Sequence, residues 1–316
     1  RNPEPGTRNP EPGTRNPKQN EFPPMKDLSP CIDGPLPSGA ETLGPVLILD
    51  KVCKEFPLND GNKFVALRDL SLTIENIRYK PQIVSLLGPS GVGKTTTLRL
   101  IAGLDQPTRG KILITNGDST PLRPVRVGDV GVVFQKYPLF EDISVLANLV
   151  EPAVRVGKMT RKDAQQKALH FLDDFGLIKQ GSAWPVHLSG GQRQRVAILQ
   201  QLMIDRYFII LDEPFSGLDP ISIASVLRLI TQVASQHELN TFILITHDVT
   251  SALSISDHVY LIGRERDAEG DPLPGARVIK TYDLIAEKIA YEPEVEDLPR
   301  FAEIRREIKL VEFPKL

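Results

Sequence analysis

Ile83-Val84-Ser85-Leu86-Leu87-Gly88-Pro89-Ser90-Gly91-Val92-Gly93-Lys94-Thr95 decides the reading of this chain. The short apolar run reads as a buried strand, and it ends in a glycine-rich turn. Thr96 to Leu104 then sets Leu98, Ile101 and Ala102 at helical spacing. Strand, glycine loop and helix in that order build an anion site. Gly88, Gly91 and Gly93 let backbone N–H groups close round a phosphate, with Pro89 and Ser90 completing the loop. The first turn of the helix, Thr96 included, faces the anion with the positive end of its dipole. Lys94 supplies a point charge to β and γ phosphates, and the Thr95 hydroxyl suits the shell of Mg²⁺.

Two later stretches extend this reading. Ile209-Ile210-Leu211-Asp212-Glu213-Pro214 is an apolar strand ending in two carboxylates. Asp212 emerges at the carboxyl edge of the sheet, where Mg²⁺ belongs beside the phosphate loop. Glu213 points differently and is the candidate to orient the water that attacks a γ-phosphate. Adjacent carboxylates alone would read as a solvated turn; the strand before them and the loop upstream reverse that. Between the two lies Leu188-Ser189-Gly190-Gly191-Gln192, a glycine-containing turn that opens a helix continued by Arg193-Gln194-Arg195-Val196-Ala197.

The ordered set resembles the ATP-binding cassette (ABC) ATPases, over roughly Val46 to Leu284. The resemblance implies an α/β fold: a P-loop NTPase, RecA-like parallel-sheet core with an antiparallel β subdomain and an inserted helical subdomain. It implies ATP and Mg²⁺ as ligands. Ser189, Gly190, Gly191 and Gln192 match the family's signature, which contacts the γ-phosphate held by a second copy. Gln135, after Val132-Val133-Phe134, matches the glutamine that senses Mg²⁺. Ser216-Gly217-Leu218-Asp219 matches the loop that meets the opposite subunit. His247, in Ile245-Thr246-His247-Asp248, matches the switch histidine that holds γ-phosphate and water. Phe56 lies where the family stacks an aromatic ring on adenine, with Phe64 close by as the other choice. One departure stands out: Leu199-Gln200-Gln201-Leu202 replaces the Ala-Arg-Ala-Leu of many relatives, which leaves the catalytic positions intact and predicts altered packing on that helix.

The chain has 316 residues, 41% of them hydrophobic, enough for a real core. Residues 1–44 open with two copies of RNPEPGT and the start of a third and are rich in Pro and Gly, so they read as a disordered tail. Residues 45–284 form the expected ATPase domain, with a helical part at about 137–190 where Ala164, Ala168, Leu169 and Leu172 mark one face. Residues 285–316 read as a helical extension, with Phe301, Ile304, Ile308 and Val311 in phase. Cys31 and Cys53 lack metal-site spacing and read as free thiols.

A formal net charge of −2 and the lack of a basic tract argue against nucleic acid as a partner. No apolar run approaches the roughly 20 residues that span a bilayer, and no secretory signal is visible at the N-terminus. Cytoplasmic residence is therefore expected, and the resemblance implies the cytoplasmic face of the plasma (inner) membrane. One phosphate loop and one signature per chain imply, by the resemblance, a head-to-tail dimer with a second copy or a paralogue. Membrane-spanning subunits and a solute-binding protein complete the expected assembly. Import is favoured over export, and the 263–267 region with the tail looks more like the nitrate, sulfonate and taurine group than the sugar group. The competing readings are a soluble ABC ATPase in DNA repair or translation, an exporter subunit, and a regulatory module without turnover.

Overall fold

A computed structural model describes residues 42–77, 80–115, 121–204, 206–235, 240–290, 292 and 294–316. The RNPEPGT repeat, nearly all of the Pro/Gly-rich segment and Cys31 lie outside them. The chain walk begins with a long hairpin, β1 (Thr42–Pro57) and β2 (Lys63–Ile77). β3 (Gln82–Leu87) runs through the glycine loop into α1 (Lys94–Ile101). β4 (Arg109–Ile114), β5 (Arg123–Pro124) and β6 (Gly131–Val133) follow. A helical stretch comes next: α2 (Val145–Arg155), α3 (Arg161–Asp174) and α4 (Gly190–Leu202). β7 (Phe208–Asp212), α5 (Pro220–Ala234), β8 (Thr241–Thr246), α6 (Val249–Ile255) and β9 (His258–Gly263) then alternate. β10 (Arg277–Asp283) and α7 (Pro299–Glu307) close the chain.

These strands form two sheets, as the α/β reading requires. One is antiparallel in the order β2-β1-β4-β5; the other has six strands in the order β10-β9-β3-β8-β7-β6. Within the second, β9, β3, β8, β7 and β6 are parallel and β10 is antiparallel to β9. Every residue of β3 and of β8 is buried, the pattern of strands covered on both faces. β2 instead alternates, with Leu70, Leu72 and Ile74 buried while Ser71, Thr73 and Glu75 face solvent. One apolar cluster joins Leu47, Leu49 and Leu72 to Val84, Leu98 and Ile210, so α1 is locked between the sheets. On the opposite face Leu149, Leu172, Ile198 and Leu229 tie the helical stretch to the same parallel sheet. The carboxyl ends of β3, β7, β8 and β9 therefore meet at one edge.

Two periodicity expectations need correction. Ala164, Ala168 and Leu172 are buried with Phe171, but Leu169 is 38% exposed: at about 100° per residue it lies too far round α3 to share that face. Phe301, Ile304 and Ile308 pack with Leu253 and Leu261, whereas Val311 is exposed because the last turn widens to a π-helix over Ile308–Glu312.

The departure at Gln200 has a packing explanation. Pro152 sits inside α2 and has no N–H to give the carbonyl four residues earlier. That carbonyl belongs to Asn148, which is fully buried. Gln200, on α4, donates through Nε2 to Asn148 O at 3.1 Å and fills the gap.

Candidate functional site

The glycine loop follows β3 directly, and its geometry is imposed by neighbours. Gly93 has φ +115°, and a Cβ there would meet Leu67 Cδ2 at 3.0 Å and Ala66 O at 3.2 Å. Only glycine accepts both the left-handed backbone and the close approach of β2. The loop borders a cavity of about 450 Å³ lined by Ser90, Gly91, Gly93, Lys94, Thr95 and Thr96, together with Gln135, Asp212, Glu213, Ser216 and His247. Lys94, 6% exposed, donates through Nζ to Gly88 O at 2.8 Å and Pro89 O at 3.0 Å. Burial lowers its pKa, and Glu213 and Asp212 oppose that.

Glu213 occupies the centre. Its φ of +48° is unusual for a side chain of this size, and its N–H donates to Ile245 O at 2.7 Å. That turn sets the carboxylate 3.6 Å from Lys94 Nζ and 2.8 Å from His247 Nδ1. Asp212, the last residue of β7, is partly buried; burial first, then the neighbouring Glu213, raises its pKa. Gln135 donates to Ser216 Oγ at 3.3 Å, across the mouth of the cavity.

The signature residues lie elsewhere. Ser189, Gly190, Gly191 and Gln192 are absent from the cavity lining. They form a capping box at the start of α4: Gln192 N–H donates to Ser189 Oγ at 3.3 Å, and Ser189 N–H donates to Gln192 Oε1 at 3.0 Å. A Cβ at Gly190 or Gly191 would meet nothing within 4 Å, and neither residue has a positive φ. Asp219 caps α5, accepting from Ile221 N–H at 3.0 Å and Ser222 N–H at 3.1 Å, and it too lies outside the cavity lining.

Residues 67–216 match the family model described as ABC transporter. Over that stretch the chain resembles the ATP-binding cassettes. It is 40% identical over 226 residues to a Fe(3+) ions import ATP-binding protein of Rhizobium meliloti, covering 72% of this chain and 61% of that protein. It is 35% identical over 205 residues to a sulfate/thiosulfate import ATP-binding protein of Pectobacterium atrosepticum, covering 64% and 60%. The chain thus spans three-fifths or so of the curated relatives it matches. Among solved structures it resembles a dimeric cassette in a post-hydrolysis state bound to ADP and phosphate, with a TM-score of 0.61 and 26% identity over 75% of this chain and 98% of that one. cbiO1 from Clostridium perfringens, part of the ABC transporter complex cbiONQ, shares the fold with a TM-score of 0.62, 24% identity and coverage of 86% and 98%.

The aromatic neighbour to the phosphate loop is Phe64. It lines the cavity, and Phe56 does not. The two are directly opposite on β1 and β2, and the Phe56 ring is faced by Lys54 Nζ at 5.2 Å. Sequence order alone does not separate residues that pair across a hairpin. Three further residues were not singled out by motif reading. Gln194, fully buried, donates to Pro214 O at 2.6 Å, and Tyr137 O–H donates to the same carbonyl at 3.3 Å, so the helical part grips the residue after Glu213. Burial and Asp212 push the Tyr137 phenol up to about 12, which keeps it a donor. Arg264, just past β9, lines the cavity. Gln194 follows the signature by two positions and Tyr137 follows Gln135 by two, which is the one signal the sequence offered for them. The described residues contain no group of three or more His, Cys, Asp and Glu able to cage a metal, and none of their helices is long and apolar enough to cross a membrane.

Proposed function

We propose that this chain is the ATP-hydrolysing subunit of an importer, acting as a head-to-tail dimer with a second copy or a paralogue at the cytoplasmic face of the plasma membrane, on separate membrane-spanning subunits. The observation that carries hydrolysis is Glu213, fixed by a left-handed backbone between Lys94 and His247 at the mouth of the phosphate loop. Glu213 polarises the attacking water, and His247 holds that water and the γ-phosphate through its ring nitrogens. Gly88 to Thr96 cradle the phosphate chain, with Lys94 exchanging its contact to Glu213 for phosphate oxygens. Thr95, Gln135 and Asp212 suit Mg²⁺: oxygen donors, one of them a carboxylate with no hydrogen bond from another described residue, and a cavity open to nucleotide oxygens and water. When bound, the ion neutralises charge that develops on the phosphates.

The names of the relatives support import of a small inorganic ion, and a solute-binding protein would deliver it. The relatives reported above are named for ferric ion and for sulfate or thiosulfate, not for nitrate, sulfonate or taurine. Phe64 is the adenine contact, supported by its place on the cavity wall. Glu213→Gln should lower phosphate release by about 100-fold or more while ATP still binds. Unchanged phosphate release in that variant would overturn the hydrolytic mechanism.

A further inference from the structure

The walls of the cavity bear two basic side chains, Lys94 and Arg264, and two carboxylates, Asp212 and Glu213. Lys94 is held by the chain itself, through two carbonyls of its own loop and through Glu213. Arg264 differs: among the described residues it has no ion-pair partner. Its neighbour Glu265 is already engaged twice, by Arg68 Nη2 at 2.7 Å and by Arg277 Nη1 at 3.0 Å. The positive charge of Arg264 is therefore left for whatever enters the cavity.

Its position is fixed by backbone. β9 lies beside β3 in parallel register, Leu261 opposite Leu87, so the residues after β9 flank the start of the phosphate loop. The approach is close enough that a Cβ on Gly88 would come within 2.4 Å of Ile262 O. Beyond Arg264 the connection to β10 is tied down. Leu273 N–H donates to Glu265 O at 2.7 Å, Asp267 N–H to Asp271 O at 3.0 Å, and Arg266 Nε to Lys315 O at 2.9 Å. Arg68 and Ala276 also pair across to β2, with Arg68 N–H donating to Ala276 O at 2.9 Å. Arg264 thus stands on a braced strand end with a rigid planar donor fork, the group best matched to phosphate oxygens.

We propose that Arg264 is a phosphate-contacting residue of the nucleotide site, donating to oxygens of the bound nucleoside di- or triphosphate alongside the phosphate loop. This rests on the nucleotide reading above and adds to it a residue from outside the loop and strand motifs. Full-length wild type, Arg264→Ala, Arg264→Lys and Lys94→Ala would be titrated with ATP, ADP and GTP in competition with a fluorescent nucleotide, at low and high salt. Arg264→Ala should weaken ATP and ADP alike by about tenfold at low salt, with the deficit shrinking as salt rises. Arg264→Lys, which keeps a charge but loses the fork, should lose about threefold, and the ATP-to-GTP preference should not move in either. An unchanged ATP affinity in Arg264→Ala, beside a clear loss in Lys94→Ala, would remove Arg264 from the site. So would a shift in ATP-to-GTP preference without a common loss, since that places the side chain on the base. A wild-type chain that binds no ATP would instead remove the nucleotide reading itself. Thermal unfolding of each variant without ligand shows whether a loss is one of folding, and Arg264→Lys keeps the proposal testable if the alanine variant is unstable.

Discussion

The glycines of the phosphate loop and those of the signature answer to different constraints. Gly93 is demanded by its own chain, through a left-handed backbone and the press of Ala66 and Leu67. Gly190 and Gly191 are demanded by nothing within 4 Å. The same contrast runs through the polar groups. Around the phosphate loop Lys94, Glu213 and His247 hold one another, with a buried cation and a strained carboxylate poised at a cavity. At the signature Ser189 and Gln192 satisfy only each other's backbone and leave a bare helix start facing outward. A residue type with no internal reason to be small points to an external surface that comes close. The first region is built round its own cavity; the second, on the function proposed above, would serve a ligand held by another molecule.

That contrast is most easily broken at Ser189. If the signature serves a second copy, Ser189→Arg should lower turnover by about 100-fold or more, since a long charged side chain blocks close approach. Nucleotide affinity of the isolated chain should stay within about twofold, because no signature residue lines its own cavity. Equal loss of binding and turnover would show that the two regions act within one chain. The next test sharpens the phosphate half. Phe64→Ala should weaken ATP by about tenfold through lost stacking on the base, whereas Phe56→Ala, whose ring faces Lys54, should change it less than twofold. Reversed effects in an equilibrium titration would return the adenine contact to Phe56.

Much of the fold was legible because β3 and β7 are short apolar runs with chemistry at their carboxyl ends, and α1 carries its own helical phase. Asp212, Glu213 and His247 were legible for the same reason: each lies at or just past the carboxyl end of a buried strand. β4 and β5 were not, since Arg109, Gly110 and Lys111 are exposed and β5 has two residues. Leu169 was misplaced because an apolar residue one step out of phase still fits a loose helical pattern, and Val311 because the widening of the last turn follows from no local spacing. The choice between Phe56 and Phe64 depends on which strand of a hairpin lies nearer the loop, and Arg264 depends on strand adjacency 170 or more residues apart, beyond the reach of local spacing.

The signature helix is anchored from behind, and this can be measured in smaller energies. Gln200→Leu should leave the Asn148 carbonyl buried without a donor and cost about 1–3 kcal/mol in denaturant unfolding. Pro152→Ala gives α2 back the N–H that the carbonyl lacks. In a double-mutant cycle the Gln200→Leu cost should therefore shrink by about 1 kcal/mol or more when Pro152→Ala is present. Full additivity would mean that the Gln200 bond is incidental, and that the signature owes its position to the apolar contacts of α4 alone.

The smallest expected effect lies in the phosphate half and has a definite sign. Asp212 is raised above the ordinary carboxylate value in the folded chain, first by burial and then by Glu213. A group raised on folding contributes stability that is complete below its unfolded value and is lost as pH rises through its folded value. At neutral pH the ionised Asp212 is thus a net cost that its place beside the phosphate loop imposes. Asp212→Asn should unfold at a slightly higher temperature than wild type at pH 7, and the gap should close as pH falls toward about 4. Adding ATP with Mg²⁺ should reverse the order, because wild type alone has the carboxylate that the ion needs. A variant no more stable than wild type at pH 7 would mean that Lys94 already offsets the charge, and that the phosphate half is as self-satisfied without ligand as the capping box of the signature.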